Sequence, residues 1–370
     1  METPAPEYIL RGHTESVSTL CFGTGKLYSG DTGGYVAIWS LKTFRPVFFW
    51  KPHLAGILTL AEYDSGLLTH GRDNKLHFFE LPREVPRLDR SDATNVPGPN
   101  NPTVLEPKWS MDVNAMAYCR MGTLTLESSL LVALPALTDD QTIDVYHLPS
   151  QARLHRSVGF ELFPLNDKTG TLMAVKILQN TATEVCPSGL HLLAGFEDGR
   201  VAMFRFCGTL SEAYLPRDAP YEKSDNWKLL WDAKGHRESL MDLALESNGS
   251  VAWSVGADHH LCRYSSITSS EHSMDVFHTI APGRAAVAIR FDSQILAVAG
   301  WDAELRVYSC KTGNPLAVLS GHRTSVQAAA FSLPTLHEDD SDDEEEDNGW
   351  LGSGGKDCRI CLWKIYNERQ

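Results

Sequence analysis

Short apolar stretches broken by Gly, Asp and Asn turns recur along the chain, and the C-terminal end shows the unit most clearly. There the sequence reads LSGHRTSVQAAAF, then an interruption, then WLGSGGKDCRICLWKI. Val326 to Phe331 reads as one strand, Leu351 to Gly354 starts a second, and Arg359 to Ile365 forms a third that ends around Trp363. Gly321–His322 opens the unit. Ser353 stands ten residues before Trp363 and Asp357 six before it.

The same ruler can be walked back along the chain. Asp302 lies six residues before Tyr308, Asp258 six before Tyr264, Asp198 six before Phe204, Asp140 six before Tyr146 and Asp73 six before Phe79. Ser254 and Thr69 occupy the position ten before their aromatic residues, and Gly235–His236 precedes the Asp258 copy. The first copy has His13, Ser29 and Trp39, but Gly33 at its Asp position. One such pair is weak evidence. Seven copies in order, six of them with the pair, resemble the WD repeat, in which each copy supplies a four-stranded sheet and the sheets form the blades of a β-propeller. The expectation is an all-β, seven-bladed WD40 propeller that occupies residues 1–370 as a single domain.

The residue types have physical reasons. An Asp in a tight inter-strand turn accepts backbone N–H bonds. In WD repeats that Asp also holds the His of the Gly-His pair, and the Ser or Thr links His to the aromatic. A buried polar network is stable only when each member has a partner. By sequence only blades 5 and 7 carry all four roles: His236, Ser254, Asp258 and Tyr264, then His322, Ser353, Asp357 and Trp363. Blades 3, 4 and 6 place Ala136, Ala194 and Val298 at the Ser position and must rely on apolar packing. Blade 3 also replaces Gly-His with Met111–Asp112. The strand before Gly-His belongs to the preceding blade, so Tyr8 to Arg11 has no earlier blade to join. It should pair with the last blade and close the propeller, which removes open sheet edges. Deleting residues 1–12 should leave the chain unstable or prone to aggregate.

Insertions are expected at 82–103 and 207–226, after third strands, and at 332–349, between the first two strands of blade 7. Shorter expansions are expected at 120–128 and 179–188. All fall in connections of the 1–2 and 3–4 type, which favours one elaborated face for binding. The last large insertion holds Glu338, Asp339, Asp340, Ser341, Asp342, Asp343, Glu344, Glu345, Glu346 and Asp347. Self-repulsion should keep it extended. It reads either as a passive solvated loop or as a lure for a basic partner surface, with Ser341 a candidate phosphorylation site in an acidic context.

A net charge of −14 without a basic cluster argues against direct nucleic-acid binding. The longest apolar run, Ser129 to Leu137, is too short to span a bilayer, and the first residues lack the features of a signal peptide. The eight cysteines are expected as reduced thiols. Cys358 and Cys361 form a lone pair inside an expected strand, His259–His260 an expected surface turn, and Gly-Thr-Gly-Lys at 23–26 lacks the Ser or Thr of a phosphate loop. No catalytic residue, cofactor or metal site is called.

Several stretches go beyond the generic repeat: PEYILRGHTESV, LKTFRPVFFWKPH, LLTHGRDNKLHFFEL, WSMDVNAMAYCRM, TIDVYHLPSQARLH and GSGGKDCRICLWKIY. They resemble fungal ASTRA-associated WD-repeat proteins, whose metazoan relatives are called G-protein β-subunit-like. The resemblance runs nearly end to end. It implies a nuclear location, with the cytoplasm as a second one, and a scaffold that helps PI3-kinase-related kinases mature. Implied partners are the TTT co-chaperone, RuvB-like AAA+ ATPases and a PI3-kinase-related pseudokinase, with a link to chromatin regulation. Within the HGRDNKLH stretch a generic blade needs Asp73 but not Arg72, Asn74 or Lys75. These three are a candidate partner contact, or else simply shape a turn. Other readings remain: a cullin-RING substrate receptor, though Trp231-Asp232-Ala233-Lys234 falls in the wrong strand for its motif; a histone-tail reader; a propeller hydrolase; and a true G-protein β subunit, for whose N-terminal helix there is no room before Tyr8.

Overall fold

The computed structural model describes residues 4–82, 96–127, 129–159, 169–215, 226–333 and 349–365. Its strands form seven four-stranded antiparallel sheets, six of them meanders in chain order and the seventh completed by the first strand of the chain. Alternation explains the pattern: in Val17–Gly23, for example, Val17 and Thr19 are buried while Ser18 and Leu20 are partly exposed. Second and third strands such as Leu190–Phe196 are buried on both faces, which accounts for their continuous apolar runs.

The chain divides into two compact units. One comprises Met1–Thr69, Phe78–Lys108 and Ala288–Gln370, the other His70–His77 and Trp109–Val287. The first unit holds blade 1 (Val17–Gly23, Lys26–Asp31, Val36–Ser40, Pro46–Trp50), blade 7 (Val326–Phe331, Trp350–Gly355, Arg359–Lys364) and nearly all of blade 6. Its core sets Trp39, Phe49 and Leu27 of blade 1 against Ile360 and Leu362 of blade 7. Full burial of each such side chain contributes about 1.5–3 kcal/mol. As expected, Tyr8–Arg11 is the fourth strand of blade 7, in register with Arg359 to Leu362. Tyr8 also stacks on Phe44 of blade 1, with ring centroids 3.7 Å apart. The described end of the 82–103 insertion runs on to residue 108. It lies along the outer strand of blade 1, where the Thr103 N–H donates to Phe49 O at 2.6 Å and Leu105 packs on the core.

The second unit holds blades 3, 4 and 5, and its larger core is rich in residues of blades 3 and 4 such as Phe196, Phe204, Phe206 and Trp227. The described start of the 207–226 insertion contains a helix, Leu210–Tyr214, the one helix among the described residues. Thr209 caps it in a capping box with Glu212. Ala213 O accepts from His155 Nε2 at 3.1 Å, and the Tyr214 hydroxyl donates to Ser188 O. The expected all-β chain is therefore nearly, not wholly, β.

Two expectations about the connections need correction. The first strand of blade 3 is Gly122–Thr125, so 120–128 is mostly strand and hairpin. The extra residues precede it, at 113–121, in the connection from blade 2 to blade 3. The connection from blade 3 to blade 4, between Val158 and Leu172, is also long. Both run from a fourth strand to the next first strand, which in an antiparallel meander lie at the sheet end opposite the 1–2 and 3–4 loops. Extra chain therefore does not gather in one class of connection.

Candidate functional site

Three blades bring a His, a Ser and an Asp together. In blade 1, His13 Nδ1 lies 2.7 Å from Asp31 Oδ2 and His13 Nε2 lies 2.7 Å from Ser29 Oγ. Trp39 Nε1–H donates to Ser29 Oγ at 2.7 Å. Blade 5 repeats the arrangement: His236 reaches Asp258 at 2.9 Å and Ser254 at 2.7 Å, and Ser254 meets the Tyr264 hydroxyl at 3.2 Å. In blade 7, His322 reaches Asp357 at 2.9 Å and Ser353 at 2.7 Å.

This corrects the sequence reading twice. Blade 1 has its carboxylate after all: Asp31, at the end of its strand, accepts from His13 and from the N–H groups of Gly33 and Tyr35. Blade 7 is one link short, because Trp363 Nε1 is buried with no hydrogen-bond partner among the described residues. The complete relays are thus in blades 1 and 5. Blade 2 adds a histidine that the Gly-His pattern hid: His53, preceded by Pro52, contacts Thr69 Oγ1 at 2.8 Å.

The atom order, carboxylate to imidazole to hydroxyl, is that of a hydrolytic triad. A nucleophile must be reachable, however, and Ser29, Ser254 and Ser353 are all 0% exposed. In blades 1 and 5 the hydroxyl also has an aromatic partner. The relays hold turns together. Burial pushes the Asp258 carboxyl up, but bonds from His236 and from the Arg237 and His260 N–H groups outweigh it and hold the carboxyl well below the usual range. Asp357 is lowered in the same way by the Arg323 N–H and His322.

His260 is buried at the start of a strand, not on a surface turn as expected, and only His259 is exposed. His236, Asp258 and His260 stand close enough to share a metal ion. Their facing atoms are already engaged, since His260 Nδ1 lies 2.8 Å from Gly235 O and His236 Nδ1 is held by Asp258. Cys361 is buried in its strand as expected, but Cys358 lies in the preceding turn with φ 62°. All eight cysteines are free thiols. Gly23 and Lys26 pair across a hairpin.

The remaining Asp positions differ in detail. In blade 4, Asp198 accepts from the Arg200 N–H and pairs with its side chain, which also reaches Asp232. In blade 6, Asp302 pairs with Arg306 at 2.7 Å. In blade 3 the turn carboxylate is Asp139, which accepts from the Gln141 N–H. Asp140 falls in a bulge, because Ala136 pairs with Asp139 but Pro135 with Ile143. The sequence reading also passed over Asp144, fully buried and bonded to Arg153 and to the Ser157 N–H. Ala136, Ala194 and Val298 are buried.

Arg72, Asn74 and Lys75 all reach toward one segment, 112–118. The Arg72 guanidinium lies 4.1 Å from the Tyr118 ring centroid and donates to its hydroxyl at 3.0 Å. Asn74, in the left-handed region at φ 62°, accepts from the Ala115 N–H on its side chain and from the Val113 N–H on its backbone carbonyl. Lys75 pairs with Asp112 at 2.6 Å. On the other side Asn114 donates to Ala136 O. The segment so held presents Met116, 73% exposed, and Tyr118, 59% exposed. Asp73 lies in the same turn. The candidate residues Glu338, Asp339, Asp340, Ser341, Asp342, Asp343, Glu344, Glu345, Glu346 and Asp347 lie outside the described residues.

Seven such sheets, with relays of this kind, define a WD-repeat β-propeller. The fold resembles the solved β-propeller domain of Cps50 (Swd1) from Myceliophteria thermophila, with a TM-score of 0.63 at 14% identity over 97% of this chain and 100% of that one. No family model matches the chain. Among curated proteins it is 30% identical to ASTRA-associated protein 1 of Verticillium alfalfae over 99% of this chain and 94% of the relative. It is 28% identical to the protein of the same name from Schizosaccharomyces pombe, over 99% and 100%. It is 29% identical to mouse guanine nucleotide-binding protein subunit beta-like protein 1, over 98% and 97%. The chain belongs to the ASTRA-associated protein 1 family.

Proposed function

We propose that this protein is a non-catalytic scaffold of the ASTRA complex, acting in the nucleus to help PI3-kinase-related kinases mature together with the TTT co-chaperone and RuvB-like AAA+ ATPases, with a link to chromatin regulation. The observation that carries this reading is end-to-end similarity, in both directions, to proteins that bear the ASTRA name. The geometry supports a binding role. The His, Ser and Asp side chains that could do chemistry are spent inside blades. Met116 and Tyr118 stand exposed on a segment braced from two sides, and a rigid aromatic beside an arginine is a common interface anchor.

Affinity purification of the full chain followed by mass spectrometry tests the reading. RuvB-like ATPases and a kinase-family co-chaperone should be recovered, and M116D/Y118D should lose at least one of them without a change in melting temperature. Recovery of neither overturns the assignment. Recovery of cullin adaptors instead, or binding to modified histone tails, favours one of the two alternative readings.

A further inference from the structure

In blade 4, His191, Arg205 and Lys228 stand directly opposite one another on three adjacent strands. Residues so paired share a face of the sheet, which gives a row of three nitrogen-bearing side chains. The opposite face carries Phe204, Phe206 and Trp227 into the apolar core. On that face His191 and Arg205, but not the exposed Lys228, line a cavity with the 180–189 loop and Thr268 of blade 5. Asn180 Nδ2 donates to Thr268 Oγ1 at 3.3 Å and ties the two together.

A cavity of about 190 Å³ opens here, lined by Asn180, Thr181, Thr183, Cys186, His191, Arg205 and Thr268, with Val185 at its side. Cavities that take whole cofactors or drug-sized ligands run to roughly 300–1,000 Å³, so this one suits a small polar group. The lining offers one permanent cation, three hydroxyls and a side-chain amide, and none of its residues is acidic. Arg205 Nε is buried with no hydrogen-bond partner among the described residues. A buried guanidinium nitrogen left unbonded is costly, and an oxyanion satisfies it in the planar, forked geometry that arginine favours. His191 Nδ1–H donates to Gly189 O at 2.9 Å, and burial together with Arg205 holds the imidazole below its ordinary pKa, so its Nε2 is an acceptor that can take the O–H of a protonated phosphate oxygen while Arg205 supplies the charge. Lys228, exposed at the end of the row, adds a second positive charge without a desolvation cost.

We propose that this cavity binds a phosphate group, either free or carried on a serine or threonine of a partner protein. The site is independent of the ASTRA assignment. In a chain of net charge −14 it is a local exception assembled from three strands.

The test is titration calorimetry on the full chain at fixed ionic strength, with inorganic phosphate, a peptide bearing one phosphoserine, and the same peptide unphosphorylated. One saturable site should appear for phosphate and for the phosphopeptide, and not for the plain peptide. Arg205→Gln should weaken it at least about tenfold, and Lys228→Gln, an exposed change that leaves folding intact, by a few-fold. Tighter binding of the phosphopeptide identifies a phosphoprotein as the source, and tighter binding of free phosphate identifies a small anion. Two results overturn the proposal. One is no binding of either phosphate form above the plain peptide and a chloride control. The other is wild-type affinity in K228Q together with wild-type affinity in an R205Q that melts normally.

Discussion

Ser29 sits between a donor and an acceptor: it accepts from the Trp39 indole N–H, and with His13 Nδ1–H turned to Asp31 its hydroxyl donates a hydrogen bond to His13 Nε2. Ser353 serves only His322, since the Trp363 indole is bonded to nothing among the described residues. The two serines look alike in sequence and should not weigh alike. Ser29→Ala orphans two buried groups and should cost about 2–4 kcal/mol, whereas Ser353→Ala orphans one and should cost about 1–2 kcal/mol. Urea unfolding of the two variants checks the ranking, and equal losses would show that the indole bond contributes nothing. The serine and the aromatic were readable because their ten-residue spacing survives in blades 1, 5 and 7. Asp31 was not, because it stands two residues after its Ser instead of four and reaches the same His from the strand end. Asp139 displaced Asp140 for a related reason: a three-residue bulge, invisible in sequence, shifted the turn.

Turns and segments carry the next level of specificity. The Asn74 side chain replaces a missing backbone partner for Ala115, and its left-handed backbone aims its carbonyl at Val113. Asn tolerates that conformation better than other non-glycine residues. Asn74→Ala should cost about 1–2 kcal/mol and speed hydrogen exchange at Val113 and Ala115 while the rest of blade 3 stays protected. Unchanged exchange there would show that Arg72, Lys75 and Asn114 hold the segment without Asn74. Placing an expansion at 120–128, between the first two strands of blade 3, set that blade's first strand too early in the chain. The Asn74 hydrogen bonds take the Val113 and Ala115 N–H groups instead, and Gly122–Thr125 pairs with blade 3's second strand. By contrast Tyr8–Arg11 was legible to the residue, because a strand with no earlier blade has one partner left.

At the scale of the molecule, a few buried groups tie sheets that are distant in sequence. Within the second unit, Asp242 of blade 5 accepts from Arg120 beside blade 3 at 2.8 Å and from the Val287 N–H of blade 6 at 3.1 Å. Asp242→Ala removes the Arg120 ion pair and the acceptor of the Val287 N–H and should cost about 2–4 kcal/mol. Differential scanning calorimetry should show a lower melting temperature and a broader transition, and a wild-type trace would remove Asp242 from this role. No local pattern marks such a residue, since its partners lie 122 and 45 positions away. The basic row of blade 4 was hidden in the same way. The fold class and the family, by contrast, could be read because the repeat and the distinctive segments span nearly the whole chain.

The pairing of Tyr8–Arg11 with Arg359–Lys364 also sets an order of events during synthesis. The strand made first is used last. Roughly 350 residues must follow it off the ribosome, which at cellular translation rates of 5–20 residues per second takes roughly 20–70 s. For that interval the strand has no sheet to join, and Leu10, buried in the finished blade, stays in water.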